Sequence, residues 1–278
     1  MTKISTVYKI IRPVNFLITF FSILVGAIIC STGIFPIVII LCAALSGATA
    51  AASGNVINDI FDIQIDNVNR PDRPLPKGNI SIKEALILYI TLLLISLISA
   101  CIVSLNALII DISALVLLFL YSYKFKKVIL LSNFIVAFLT GLAFIYGGIA
   151  VYNFKAAIIP ALFAFLINFI REIVKDMEDI KGDIKSGVSS FPHRYGFSRA
   201  KLVITVLSLL LIAATFYPSV TRIYSIEYLL IIVVIVDPFL IYNLILLFKD
   251  DSPLVLNKVS FILKLNMVFG LAAIYLGR

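Results

Sequence analysis

The sequence holds one histidine, three cysteines and only 15 acidic residues in 278 positions, and charged side chains of both signs make up 14% of it. Each shortage removes a class of protein. A single imidazole, His193, and three scattered thiols do not assemble a zinc site, which wants imidazole or thiolate ligands at set spacing. Cys30, Cys42 and Cys101 fall in or beside apolar runs with neither metal-ligand spacing nor a disulfide partner, and are expected to be small apolar fillers. So few charges, beside 62% hydrophobic residues and a mean hydropathy of +1.11, exclude an ordinary soluble domain, whose apolar share is about half.

What is abundant is uninterrupted apolar chain. Runs lie near residues 14–33, 35–57, 84–104, 107–123, 128–150, 156–174, 201–217, 227–248 and 255–276. A bilayer core takes about twenty mostly apolar residues per helix. The runs are continuous, whereas membrane-spanning strands alternate over segments of about ten residues. The fold expected is therefore all-α: a polytopic membrane protein with nine transmembrane helices, forming one integral domain over 1–278. The first run follows a charged start but lacks a small-residue cleavage pattern, so it is expected to remain as helix one.

The basic residues are distributed unevenly. In a nine-helix arrangement, all but four of the 23 lysines and arginines fall on one side; the exceptions are Lys155, Arg222 and Arg278 on the other side and Lys264 inside the last run. Cytoplasmic loops carry the Lys/Arg excess, which places the N-terminus in the cytoplasm and the C-terminus outside. The net charge of +8 is thus mostly a topology signal. Soluble basic stripes with interleaved aromatics are missing, so no nucleic-acid partner is expected, and no protein partner is implied.

Six of the few acidic residues form two clusters with one spacing, Asn58-Asp59-x-x-Asp62-x-x-x-Asp66 and Asp176-x-x-Asp179-x-x-x-Asp183, each where an apolar run ends on the cytoplasmic side. Offsets of three, four and seven place three carboxylates on one helical face over two turns. Like charges repel there, and the C-terminal end of a helix adds partial negative charge, so the clusters call for cations. An all-oxygen set without clustered His or Cys fits Mg²⁺, which keeps waters and shares its shell with substrate phosphates. Asn58 reaches the same face and could add a neutral oxygen. The spacing is not that of an EF-hand loop. Polar loops over roughly 67–83 and 184–199 follow the clusters and are expected to act as lids.

Metal sites at a lipid boundary suit a diphosphate with an apolar tail: metal neutralises the head while the tail lies in the membrane. Candidate cations for the diphosphate are Arg171 and Lys175, four apart before the second cluster, Arg70 and Arg73 after the first, and Lys124, Lys126 and Lys127 leaving the fourth helix. Tyr121 and Tyr123, beside these lysines, are candidates for sheltering an allylic cation. Asp237-Pro238 and Lys264 are polar within apolar runs and are left without a role.

With these motifs in hand, the sequence resembles the UbiA superfamily of intramembrane prenyltransferases. The resemblance rests on the two acidic motifs at 58–66 and 176–183, on Arg12-Pro13-x-Asn15, on Asn69-Arg70-Pro71-x-Arg73-Pro74, and on Tyr121-Ser122 followed by lysines and Asn133. It implies nine helices around a lipid-open cavity with cytoplasmic lid loops, and transfer of a prenyl group from a prenyl diphosphate. By the same resemblance Asn58, Asp59, Asp62, Asp66, Asp176, Asp179 and Asp183 hold two Mg²⁺. Asn15, Arg70, Arg73, Tyr121, Tyr123, Lys124, Lys126, Arg171 and Lys175 line the substrates.

Within the superfamily, 55–78 and 171–183 are most similar to the archaeal digeranylgeranylglyceryl phosphate synthases. That class transfers geranylgeranyl to a lipid-phosphate acceptor, forming the second ether of archaeal membrane lipids. One departure is Val188-Ser189-Ser190-Phe191-Pro192, where relatives carry a Thr-Leu-Pro-like segment. Relatives with hydroxybenzoate, naphthoate, homogentisate or chlorophyllide as acceptor share the acidic motifs and form the competing expectation. An ion-coupled transporter is the remote one, since its carboxylates would lie near the membrane midplane.

Overall fold

The structure is a computed structural model that describes residues 3–33, 35–186 and 190–278; the side chains of residues 3, 4, 69 and 181–186 lie outside that description. Among the described residues every regular element is a helix, which is the solution lipid imposes, since a helix satisfies its own backbone polar groups. The α-helices are α1 (Lys3–Ile11), α2 (Pro13–Cys30), α3 (Ile37–Phe61), α4 (Ile63–Asn69), α5 (Ile82–Val103), α6 (Leu105–Tyr123), α7 (Leu131–Ala150), α8 (Ile158–Ser186), α9 (Phe191–Tyr195), α10 (Phe197–Val220), α11 (Ile226–Ile231), α12 (Asp237–Lys249) and α13 (Pro253–Leu276).

Nine candidate membrane spans occur among the described residues, matching the nine apolar runs in order. Two spans differ instructively from their runs. The sixth does not end where its apolar run does: α8 continues to Ser186, so the second acidic cluster rides on a helix that extends past the lipid-soluble stretch. The eighth is interrupted by a π-turn at Ile232–Val236, directly before Asp237-Pro238. Pro238 brings no N–H and its ring crowds the carbonyl of the preceding turn, and the wider turn absorbs that clash.

The chain divides into two compact units. The first comprises residues 1–128 and 142–158. Its core is built from small side chains, with Ala43 and Ala44 of α3, Ala107 of α6 and Ala143 and Ala150 of α7 packed around Ile23, Val103 and Tyr146. Helices in lipid attract one another by close packing and hydrogen bonding, and small residues permit the approach. Polar bonding is present too. Ser46 and Ser96 donate to the buried Asp111 carboxylate at 3.1 and 2.8 Å, and the Tyr146 hydroxyl lies 2.9 Å from Ser46 Oγ. This network ties α3, α5, α6 and α7 together. Asp111→Ala should lower the thermal stability by about 1–3 kcal/mol, the cost of stranding buried hydroxyls, while Asp111→Asn should cost less. Equal melting temperatures for wild type and both variants in one detergent would remove the network's structural role.

Ser81 opens α5 with a capping box: Glu84 N–H donates to its Oγ at 3.2 Å and its own N–H donates to Glu84 Oε2 at 3.0 Å. The segment between α4 and α5 is anchored: Leu75 is buried with Ile10, Val56 and Ala85, which fixes the approach of Arg73 two residues earlier.

The second unit comprises residues 129–141 and 159–278. Ile170, Ile173, Val174 and Met177 of α8 pack with Ile204 and Leu211 of α10, Leu240 and Leu247 of α12, and Leu256 and Leu263 of α13. Asp237 is buried and its Oδ1 lies 3.4 Å from the donating Thr215 Oγ1, while Asn266 donates to the Val236 carbonyl at 3.0 Å. Lys264 is half-buried on α13. The three cysteines are free thiols.

Candidate functional site

In the first unit the acidic cluster straddles a joint. α3 ends at Phe61, and Asp62, with φ −92° and ψ 3°, links it to α4. Helical register survives the joint, because Asp62 N–H donates to Asn58 O at 2.9 Å and Asp66 N–H to Asp62 O at 2.8 Å. Asp59, Asp62 and Asp66 therefore remain on one side and are buried to 3, 4 and 4% exposure. Three carboxylates so placed need partners, since an uncompensated buried charge is strongly unfavourable.

The partners are cations from three distant segments. Arg12 donates through Nη1 to Asn55 Oδ1 at 3.3 Å and through Nη2 to Asp59 Oδ1. Arg73 bridges two carboxylates through Nη1, at 3.2 Å from Asp59 Oδ1 and 2.6 Å from Asp66 Oδ2. Lys126, from the short turn after α6, pairs with Asp62 Oδ2. Burial pushes the Asp66 carboxyl above its ordinary range; Arg73 pulls it back, and Asp59 and Asp62 push it further up.

Asn58 completes the set. Its Nδ2 donates to Asp62 Oδ2 at 2.8 Å, whereas its Oδ1 is buried without a hydrogen-bond partner. That unspent carbonyl oxygen beside three carboxylates is a hard, all-oxygen donor set, which fits Mg²⁺. Among the described residues no three carboxylate, imidazole or thiolate groups converge as a ready-made cage; Arg73 and Lys126 take up the carboxylates instead.

In the second unit, Asp176 on α8 accepts from Asn133 Nδ2 of α7 at 2.9 Å, and Asp179, one turn on, is half-buried. The side chain of Asp183 lies outside the described residues, as do Val188 and Ser189 of the departing segment. Arg171 and Lys175 both donate to Glu172, a buried carboxylate, at 3.1 and 3.0 Å. Arg171 keeps a buried Nε without a partner. Glu178 accepts from Asn257 Nδ2 at 2.9 Å.

The remaining predicted residues, Asn15, Arg70, Tyr121, Tyr123 and Lys124, belong to the first unit. Asn15 is half-buried in the first turn of α2, and its N–H donates to Arg12 O at 2.9 Å. Arg70 caps α4 through its N–H to Asp66 O at 2.8 Å. Tyr121 is half-buried and Lys124 exposed. Tyr123, 62% exposed, stacks on Phe119 and tilts against Phe61 in an exposed aromatic cluster.

Four residues enter that sequence reasoning did not assign to the site: Arg12, Asn55, Asn133 and Glu172. Asn55 and Glu172 were findable by spacing, one turn before Asp59 and within one turn of Lys175. Arg12 meets Asp59 from 47 residues away, which no local pattern signals.

Comparison with known proteins gives a consistent result. The sequence profile of the UbiA prenyltransferase family matches residues 19–266. A digeranylgeranylglyceryl phosphate synthase from Methanocaldococcus jannaschii is 37% identical over 277 residues, covering 100% of this chain and 97% of that protein. One from Methanosphaera stadtmanae is 35% identical over 269 residues, 97% of each. A solved structure of a digeranylgeranylglyceryl phosphate synthase superposes with a TM-score of 0.79 at 37% identity, covering 100% of this chain and 99% of the other. A UbiA homologue from Archaeoglobus fulgidus, solved with GPP and Mg²⁺, shares the fold at 22% identity and a TM-score of 0.64, over 97% of this chain and 99% of its own.

Proposed function

Because the chain belongs to the UbiA prenyltransferase family, we propose that it transfers a geranylgeranyl group from geranylgeranyl diphosphate to the free hydroxyl of geranylgeranylglyceryl phosphate. The single observation that carries the acceptor is full-length similarity, above a third identity, to enzymes named for that product. The family match runs through both compact units, in keeping with one catalytic domain over 1–278.

The reaction breaks the allylic C–O bond of the donor, the electron pair leaving with diphosphate. The acceptor hydroxyl oxygen then bonds to the allylic carbon and its proton is lost, forming an ether. Arg12, Arg73 and Lys126 supply positive charge beside the first carboxylate set, and Arg171 and Lys175 beside the second. We assign them to the phosphate groups of donor and acceptor, which their half-exposed positions allow. Asn58, Asp59, Asp62 and Asp66 would hold one Mg²⁺, and Asp176, Asp179 and Asp183 a second. Bound there, the metal supplies charge neutralisation of the leaving diphosphate. The Archaeoglobus homologue with GPP and Mg²⁺ supports the pairing of donor class and ion. The Lys/Arg asymmetry supports placing both acidic sets and the N-terminus at the cytoplasmic face.

The deciding experiment incubates detergent-purified protein with radiolabelled geranylgeranyl diphosphate, Mg²⁺ and a panel of acceptors. Ether product should form with geranylgeranylglyceryl phosphate. Product formed only with hydroxybenzoate, naphthoate, homogentisate or chlorophyllide would overturn the assignment.

A further inference from the structure

In the first unit, three carboxylates stand against three basic side chains, and the balance is local. Asp59 meets Arg12 and Arg73, Asp66 meets Arg73, and Asp62 meets Lys126. A divalent ion entering this set would find its ligands already paired. Either the bound cations leave, or two positive charges accumulate in a region shielded from water.

Arg73 is held from both sides, by two carboxylates and by the buried Leu75. The other two are placed to leave. Lys126 sits on a three-residue turn between α6 and α7, keeps 27% of its side chain exposed, and reaches Asp62 with its terminal Nζ alone. Arg12 keeps 30% of its side chain exposed. Its backbone is left-handed at φ 54° and ψ 74°, directly before Pro13. A non-glycine residue held there is strained, and it aims the guanidinium at Asn55 and Asp59. Asn58 Oδ1, the buried acceptor without a partner, marks where an incoming cation would meet the set first.

We propose that Arg12 and Lys126 are exchange residues. They neutralise Asp59 and Asp62 while the metal is away, and shift to phosphoryl oxygens of the prenyl diphosphate when metal takes those carboxylates. Metal alone therefore binds weakly, diphosphate alone binds weakly, and the two bind as a unit. Linkage makes the effect reciprocal: each ligand strengthens the other by one common factor. This rests on the reading above that the first set holds the metal, and it adds an order of charge movement to it.

Exchange moves the two affinities in opposite directions, which an ordinary binding role does not. Arg12→Gln removes a competitor of the metal and a partner of the diphosphate together. Mn²⁺ binding to the full-length protein in detergent, followed by the free-ion electron paramagnetic resonance signal, should tighten about tenfold without diphosphate. Binding of geranylgeranyl S-thiolodiphosphate in the presence of Mn²⁺ should weaken about tenfold in the same variant. Lys126→Gln should behave alike, and Arg12→Lys, which keeps the charge, should return both affinities toward wild type. A lowered melting temperature in one variant would leave the other to decide. Weakening of Mn²⁺ binding in the absence of diphosphate, or no change in it, overturns the exchange while leaving the metal site intact. Failure of wild type to bind Mn²⁺ even with the analogue would instead sink the metal reading, and the exchange with it.

Discussion

Asp62→Ala should lower geranylgeranyl transfer by at least a factor of about 10²–10³, and Asp179→Ala should do the same, each in protein that still folds. Asp62 is the only described partner carboxylate of Lys126, and its Oδ2 also accepts from Asn58. Its loss takes one oxygen donor from the set assigned above to the metal and leaves Asn58 and Lys126 without the carboxylate that orients them. The fold should survive, because Lys126 is exposed enough to turn to water and the helical register at the joint is carried by backbone bonds. Asp179 lies half-buried one turn after Asp176, at a helical stretch beyond the apolar run, where a carboxylate contributes little to packing. Single-turnover transfer of labelled geranylgeranyl separates the chemical step from product release, and a melting curve checks the fold. Full turnover in either variant would contradict the metal role assigned to that set.

The sequence made the membrane fold and the first acidic set legible for the same reason: both depend on short-range periodicity. Apolar length sets the spans, and the offsets 3, 4 and 7 survive in the structure because the joint at Asp62 keeps helical hydrogen bonds. The joint itself is a matter of one residue's dihedral angles, for which the sequence carries no marker there. The π-turn before Asp237-Pro238 was half-signalled, since proline announces a missing donor but not how the helix adjusts. The pairing of charges was the least legible. Lys126 stands out in the sequence as a candidate cation for the diphosphate and Arg12 only as part of the Arg12-Pro13-x-Asn15 segment, but the carboxylates they meet lie 64 and 47 positions away, beyond any local pattern. Glu172 shows the opposite case. Arg171 and Lys175 stand out in the sequence as a cation pair four apart before the second cluster, yet the carboxylate that holds both, Glu172, lies between them.

One substitution made at two positions should have opposite effects. At Gly147 on α7, an added Cβ would overlap the Ile23 carbonyl oxygen and lie 2.7 Å from Ala27 N, both backbone atoms of α2. At Gly26 on α2, the added atom would overlap the Phe144 carbonyl oxygen and sit 2.9 Å from Phe144 Cα. The two helices therefore cross backbone to backbone, glycine on each side, and neither has a flexible side chain that could yield. Gly147→Ala should cost about 1–3 kcal/mol, and Gly147→Leu more, because α7 must move off α2 and strain the Tyr146 contact with Ser46. At Gly270 on α13, a Cβ meets nothing within 4 Å. Gly270→Ala should raise stability by about 0.5–1 kcal/mol, the helix-propensity difference between the two residues. The crossing also bears on catalysis, since α2 begins at the residue after Arg12, and a shifted α2 would draw the guanidinium away from Asp59. Gly147→Ala should thus lose turnover and melting temperature together while Gly270→Ala keeps its turnover. If both variants melted alike in one detergent, the close crossing would not be what holds the first unit together.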